Sequence, residues 1–231
     1  ISDDGRPDLV LVNSSHNTPS RDPGSYVFIN NGEGFDREPT WKLPTDLAHG
    51  GCCADLNRDG YLDLVFGGHK SSDLLVFYGT ENGFDLEHPE CIHMEWDDTV
   101  CSSPLWIYLA DLNNDGWLDL VVPQSQGDRS LILWGGPEGF SMERSQVLSV
   151  WKAACARAAD LNGNGYLDLL MGGGKPSLAE PDDSFVHVYW NGPDGISESR
   201  KSLLPANSVL AMGVADLDND GLLDLFVPCY H

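Results

Sequence analysis

Four stretches of this 231-residue chain carry oxygen-bearing side chains at the spacing of a cation-binding loop. They read Asp-x-Asn/Asp-x-Asp/Asn-Gly-x-Leu-Asp-Leu and span residues 55–64, 111–120, 160–169 and 216–225. Positions 1, 3, 5 and 9 supply Asp55, Asn57, Asp59 and Asp63 in the first copy, and Asp111, Asn113, Asp115 and Asp119 in the second. The third offers Asp160, Asn162, Asn164 and Asp168, and the fourth Asp216, Asp218, Asp220 and Asp224. Hard cations such as Ca²⁺ take six to eight oxygen ligands, which an acidic loop folded back at a glycine can supply. The backbone carbonyls at position 7 (Tyr61, Trp117, Tyr166 and Leu222) would complete the shells. The expectation is three to four bound Ca²⁺. The third loop has two carboxylates and should bind most weakly; the fourth has four and should bind most tightly.

An EF-hand shares the opening of this motif but closes with a bidentate Glu at position 12 between two helices. Position 12 here holds Phe66, Val122 and Met171, and the flanks read as strands. The loop glycine recurs at 5, 60, 116, 165 and 221, because a truncated copy (Asp4, Gly5, Asp8) opens the chain. The steps of 55, 56, 49 and 56 residues mark an array of supersecondary units that bury their apolar faces against one another. A second signature keeps the same beat: Gly32–Phe35, Asn82–Phe84, Glu138–Phe140 and Asp194–Ile196. Within the second repeat, residues 51–56, 62–66, 74–78 and 84–93 read as strands A, B, C and D, rich in Val, Leu, Phe and Tyr and bounded by Gly, Asn and Asp. Four antiparallel strands per unit of about 50 residues describe a blade of an all-β propeller.

Asp-x-Asn-x-Asp-Gly-x-x-Asp-Leu-Val, repeated in register, resembles the FG-GAP/VCBS repeat family, which includes the propeller of integrin α subunits. The resemblance spans nearly the whole chain. It implies Ca²⁺ in the A–B loops and a propeller of seven or eight blades, of which about four are present. The repeats fall near residues 1–48, 49–104, 105–152, 153–207 and 208–231, the last partial. Repeat 1 lacks strand A, and the C-terminal stretch supplies A and B of a fifth unit. The expectation is a portion of a larger propeller completed by the parent protein's remaining blades; strand exchange between neighbouring subunits is the alternative.

Composition narrows the partners. With 41% apolar residues the chain can build a substantial core, and no run of 18 apolar residues would span a membrane. The net charge of −23 excludes nucleic acid as a partner. Twelve of the 36 acidic residues lie in the four loops, so four Ca²⁺ would bring −23 to −15. Loop sites of modest affinity suit millimolar extracellular calcium, which argues for a secreted or cell-surface protein. Six cysteines agree with an oxidising compartment; Cys91 and Cys101 bracket the longest irregular connection and form the expected disulfide. Asn13-Ser14-Ser15 is a glycosylation sequon.

In an up-and-down blade the A–B and C–D turns share one end, and the B–C and D–A connections share the other. The calcium end is uniform, whereas residues 13–24, 67–73, 123–129, 172–183 and 88–104 at the other end all differ, as recognition loops do. Each B–C loop carries one cation (Arg21, Lys70, Arg129 and Lys175), a set suited to a carboxylate or sulfate on a glycan or protein. His16, His49, His69 and His93 map to the same end. Trp96 and Trp106 fit no repeat position and could stack on a sugar ring. Trp134 and Trp190 read as inter-blade core. An acidic run holding Glu87, His88, Glu90, Cys91, His93 and Glu95 has transition-metal donors, but its spacing matches no metal motif and a solvated loop explains it. No catalytic triad, phosphate loop or zinc signature is present. The expected function is therefore a non-catalytic binding, adhesion or scaffold module with a protein or glycan ligand, anionic if the cations form one surface. A calcium-dependent polysaccharide lyase is the alternative from another class.

Overall fold

Strands B and C of each repeat are apolar at consecutive rather than alternating positions, as in Leu64-Val65-Phe66 and Leu169-Leu170-Met171. Such runs belong to strands covered on both faces. The computed structural model of the chain describes residues 1–14, 23–68, 73–96, 99–100, 104–173 and 184–229. They form two compact units, residues 1–104 and 105–231.

In the first unit, β1 (Leu9–Leu11), β2 (Ser25–Phe28) and β3 (Trp41–Leu43) make a three-stranded antiparallel sheet. β4 (Ala48–Ala54), β5 (Asp63–Gly68) and β6 (Asp73–Phe77) continue into a four-stranded sheet. Its fourth strand follows a separate hairpin of β7 (Gly79–Thr80) and β8 (Gly83–Phe84), and is β9 (Glu90–His93). Strand D of this repeat is thus shorter than residues 84–93. Gly83 takes φ +92°, and a Cβ there would meet the Trp41 ring, which packs edge-on against Phe84. The signature glycine therefore turns the chain and lets one sheet's tryptophan close over the next sheet's hairpin. Val27 and Leu43 join Leu64, Phe66, Phe77 and Phe84 in the core between the two sheets. β10 (Glu95–Trp96) and β11 (Thr99–Val100) form a small ribbon.

The second unit holds two full sheets. The first comprises β12 (Tyr108–Ala110), β13 (Asp119–Val122), β14 (Arg129–Leu133) and β15 (Ser145–Ser149). The next comprises β16 (Cys155–Ala159), β17 (Asp168–Gly172), β18 (Phe185–Tyr189) and β19 (Lys201–Pro205), followed by the pair β20 (Gly213–Ala215) and β21 (Asp224–Phe226). Leu169 and Met171 point into a core shared with Val121, Ile132 and Leu148 of the preceding sheet. Leu170 points the other way, joining Val186, Val188 and Met212 against the β20–β21 pair. This explains the unbroken apolar run: each central strand feeds two cores. Trp134 and Trp190 lie one residue beyond β14 and β18 and pack against these cores.

One half-buried polar ring gives a pH signature. His187 stacks on Tyr189, its Nδ1 has no hydrogen-bond partner among the described residues, and burial followed by the nearby Lys201 pushes its pKa down to about 4. A lowered histidine pKa adds stability above the unfolded value of about 6.5, which is lost as pH falls towards the folded one. Relative to His187→Gln, the native protein should therefore lose about 1–2 kcal/mol between pH ~6.5 and ~4, once residual solvent screening is discounted. Parallel urea titrations of the two proteins measure the difference, and a pH-independent difference would contradict this account of His187.

Candidate functional site

The four acidic loops join β4 to β5, β12 to β13, β16 to β17 and β20 to β21. All four fold alike. The position-1 carboxylate receives two backbone N–H groups: Asp55 accepts from Asp59 and Gly60, Asp111 from Asp115 and Gly116, Asp160 from Asn164 and Gly165, Asp216 from Asp220 and Gly221. The position-3 oxygen of Asn57, Asn113, Asn162 or Asp218 accepts from the position-5 amide, at 2.9–3.1 Å. The position-5 oxygen accepts from the amide of Tyr61, Trp117, Tyr166 or Leu222 at 2.7–2.9 Å. Left-handed backbone at position 4 (Arg58, Asn114, Gly163, Asn219) and at the position-6 glycine bends the loop so that these oxygens face inward.

Position 9 does something the motif alone does not disclose. Asp63, Asp119 and Asp168 are fully buried. One oxygen of each accepts the position-2 amide, from Leu56, Leu112 or Leu161. The other accepts an amide just beyond strand C, from Gly79, Gly135 or Asn191. Asp8 of the truncated copy accepts from Asn30 in the same way. This carboxylate is a staple between the A–B loop and the end of strand C. Burial pushes the Asp119 pKa up to about 6; the Gly135 and Leu112 amides pull it down, while Asp115 and Asp111 push it further up. Burial likewise raises Asp63 and Asp168. In the fourth loop Asp216, Asp218 and Asp224 bring carboxylate oxygens within 4.8 Å of one another. That oxygen-only, convergent set fits a hard divalent cation, whereas the three carboxylates of the first and of the second loop do not approach one another as closely.

Neighbouring loops of the second unit are also tied together. Asn114 donates to the Gly165 carbonyl at 3.0 Å, and the buried Asn191 side chain donates to the carbonyls of Leu112 and Leu167 at 2.6 and 2.9 Å. Asn191 belongs to no motif in the sequence. Its signal is positional, since it is the residue whose amide serves the Asp168 staple.

The opposite strand ends of this unit hold a second set of groups. Lys152 donates its amide to the Gly127 carbonyl, drawing the β15–β16 connection onto the β13–β14 connection. Trp106 donates to the carbonyl of Ala154 in that same connection. Trp106 and Trp151 are 38% and 46% exposed, and the Lys152 ammonium lies 5.3 Å from the Trp151 ring centroid. Arg129 opens β14 here, exposed and 3.8 Å from Asp128. Beneath the turn, Gln124 is buried with neither amide atom hydrogen-bonded among the described residues. Such a group needs water or a ligand. Trp151 and Lys152 were not among the sequence-derived candidates, because a Trp-Lys pair at a D–A turn has no spacing signature. Arg21, Lys70 and Lys175 lie outside the described residues, as do His16 and His69. Only the backbone of Trp96 is described. Among the described residues, Cys52, Cys53, Cys91, Cys155 and Cys229 form no disulfide with one another, and the expected partner of Cys91, Cys101, lies outside the described residues.

Repeated four-stranded antiparallel sheets, each with an acidic loop between its first two strands, fit the architecture of a β-propeller. The chain belongs to the FG-GAP-like repeat family, whose repeat matches residues 1–66, 55–122, 111–171 and 160–227. It is 27% identical over 146 residues to integrin alpha-4 of Xenopus laevis, an alignment covering 52% of this chain and 14% of that protein. The fold is also similar to an Agrocybe aegerita lectin that recognises non-reducing terminal N-acetylglucosamine, with TM-score 0.50 and 20% identity over 88% of this chain and 55% of the lectin. The chain thus spans only part of both relatives. Among the described residues, no helix is long and apolar enough to cross a membrane.

Proposed function

We propose that this protein is an extracellular, calcium-stiffened binding module that recognises a protein or glycan at the strand ends opposite its acidic loops, without turnover. The observation that carries this reading is the group of Trp106, Trp151, Lys152 and Arg129 around two connections locked by backbone hydrogen bonds. Exposed indoles offer flat apolar faces to a sugar ring, and adjacent cations suit a carboxylate or sulfate. Membership of a family that includes integrin-like chains, and likeness in fold to a lectin, support a binding role. Calcium would be held by the oxygens of the four loops, with the position-7 carbonyls completing each shell. Its contribution is to neutralise the gathered carboxylates and fix the scaffold. Arg21, Lys70 and Lys175, the cations that the sequence places in the other B–C loops, are proposed for the same kind of anionic ligand.

A glycan array carrying terminal N-acetylglucosamine and uronate-containing glycans, probed with and without a calcium chelator, tests the reading. Trp151→Ala should weaken any captured glycan about tenfold, the scale of one lost aromatic contact. Binding that survives both Trp151→Ala and Trp106→Ala unchanged would move the recognition surface elsewhere. Appearance of an unsaturated uronate product by ultraviolet absorbance would instead establish a lyase.

A further inference from the structure

The sequence run from Glu87 to Glu95 does not act as one cluster. His88 turns back onto Asp85, its Nδ1 3.2 Å from a carboxylate oxygen, and Glu90 accepts the Tyr78 hydroxyl at 2.6 Å. The pairing of β6 with β9 instead selects two of its residues and adds a third from 20 positions away. Asp73 stands opposite His93 and Leu75 opposite Cys91, so Asp73, Cys91 and His93 project from one face of the sheet. His93 Nδ1 lies 2.7 Å from Asp73 Oδ1, and the Cys91 thiol also hydrogen-bonds Asp73. One ligand atom from each of the three lies within 4.8 Å of the others.

We propose that Asp73, Cys91 and His93 form a binding site for a divalent transition metal of the zinc type, separate in position and chemistry from the calcium loops. A thiolate, an imidazole and a carboxylate together are the donors that zinc takes and that calcium rejects. Zinc binds such donors at about 2.0–2.3 Å, so tetrahedral ligand atoms stand roughly 3.3–3.8 Å apart; the three atoms lie near that spacing, and the 2.7 Å His93–Asp73 contact must open to admit the ion. The backbone is fixed by the β6–β9 register, which leaves closure to side-chain rotation alone. Binding would release the Cys91 thiol proton to solvent and replace the hydrogen bond between His93 and Asp73 with bonds to the metal. Asp73 also lines a cleft of about 170 Å³ with Thr45, Asp46, Ala48 and Phe66. That open side leaves the fourth position to water or to a donor from a bound molecule, the arrangement of three-ligand zinc sites. Because β6 begins at a B–C connection and β9 ends at a D–A connection, the site sits at the strand ends opposite the acidic loop of its own sheet.

The test is a Co²⁺ and Zn²⁺ titration of freshly reduced, calcium-saturated protein. One equivalent should bind, and the cobalt form should show a thiolate-to-metal charge-transfer band together with tetrahedral visible bands. Cys91→Ser should abolish the charge-transfer band. Asp73→Asn and His93→Ala should weaken zinc by about 100-fold, the upper end of what even outer-shell changes cause. Melting in calcium, unchanged across the three variants, shows that they fold. A charge-transfer band that persists in Cys91→Ser would assign the metal to another thiol such as Cys53 and overturn the proposal. So would displacement by millimolar calcium, affinity indifferent to all three substitutions, or mass-spectrometric recovery of Cys91 in a disulfide.

Discussion

Chelating calcium should lower the melting temperature of this protein by on the order of 20 °C. An ion that binds only the folded state adds about 2.7 kcal/mol per site at a hundredfold excess over Kd, so three to four loops add roughly 8–11 kcal/mol. For a chain of this size each kcal/mol moves the midpoint by about 2–4 °C. Without metal, a chain of net charge −23 concentrates a third of its acidic residues in four loops, and their mutual repulsion acts in the same direction. Scanning calorimetry in calcium and in chelator measures the shift. Coincident curves would show that the loops hold no stabilising ion. In a stepwise chelator titration followed by NMR, the Asp160 loop should empty first and the Asp216 loop last. Only two carboxylates hold the former, whereas four hold the latter, three of which already converge.

Replacing Asp119 with Ala should cost about 3–5 kcal/mol even in calcium-free buffer. Its two oxygens receive the Leu112 and Gly135 amides in a fully buried setting, and truncation strands both donors. Each buried unsatisfied amide costs about 1–3 kcal/mol, and the emptied volume adds to that. Asp111→Ala in the same buffer should cost only about 1 kcal/mol, because its partners Asp115 and Gly116 can turn to water. Both variants should lose the stabilisation that calcium gives this loop. Urea unfolding of the pair, with and without calcium, separates the two roles of the motif. Equal costs in chelator would refute the distinction between a staple and a ligand.

That distinction marks where the sequence stops being legible. Asp, Asn and Gly at fixed offsets announced the loops, since local hydrogen bonds within five residues determine their shape. The doubly covered strands B and C announced themselves as unbroken apolar runs. Strand D of the second repeat was harder, because Thr80 and Gly83 fold back into their own hairpin before β9 begins. The second partner of Asp119 lies 16 residues downstream, and that of Asp168 lies 23 downstream, distances at which no motif operates. Asp73 and His93 meet only through the register of β6 on β9. Trp151 gains its setting from Gly127 through the backbone of Lys152, which composition cannot foresee.

The reach of the buried staple also bears on how the chain can be made. Among the described residues, the staple hydrogen bonds to Asp63, Asp119 and Asp168 close within 23 residues, inside a single repeat. A ribosome releasing the chain from its N-terminus therefore completes each blade's internal polar accounting before the following blade exists. Only the apolar faces and links such as Asn191 to Leu112, 79 residues apart, must wait for a neighbour. Low sequence separation speeds pairing, and a nascent blade with its carboxylate already seated offers later segments a settled edge rather than a competing one.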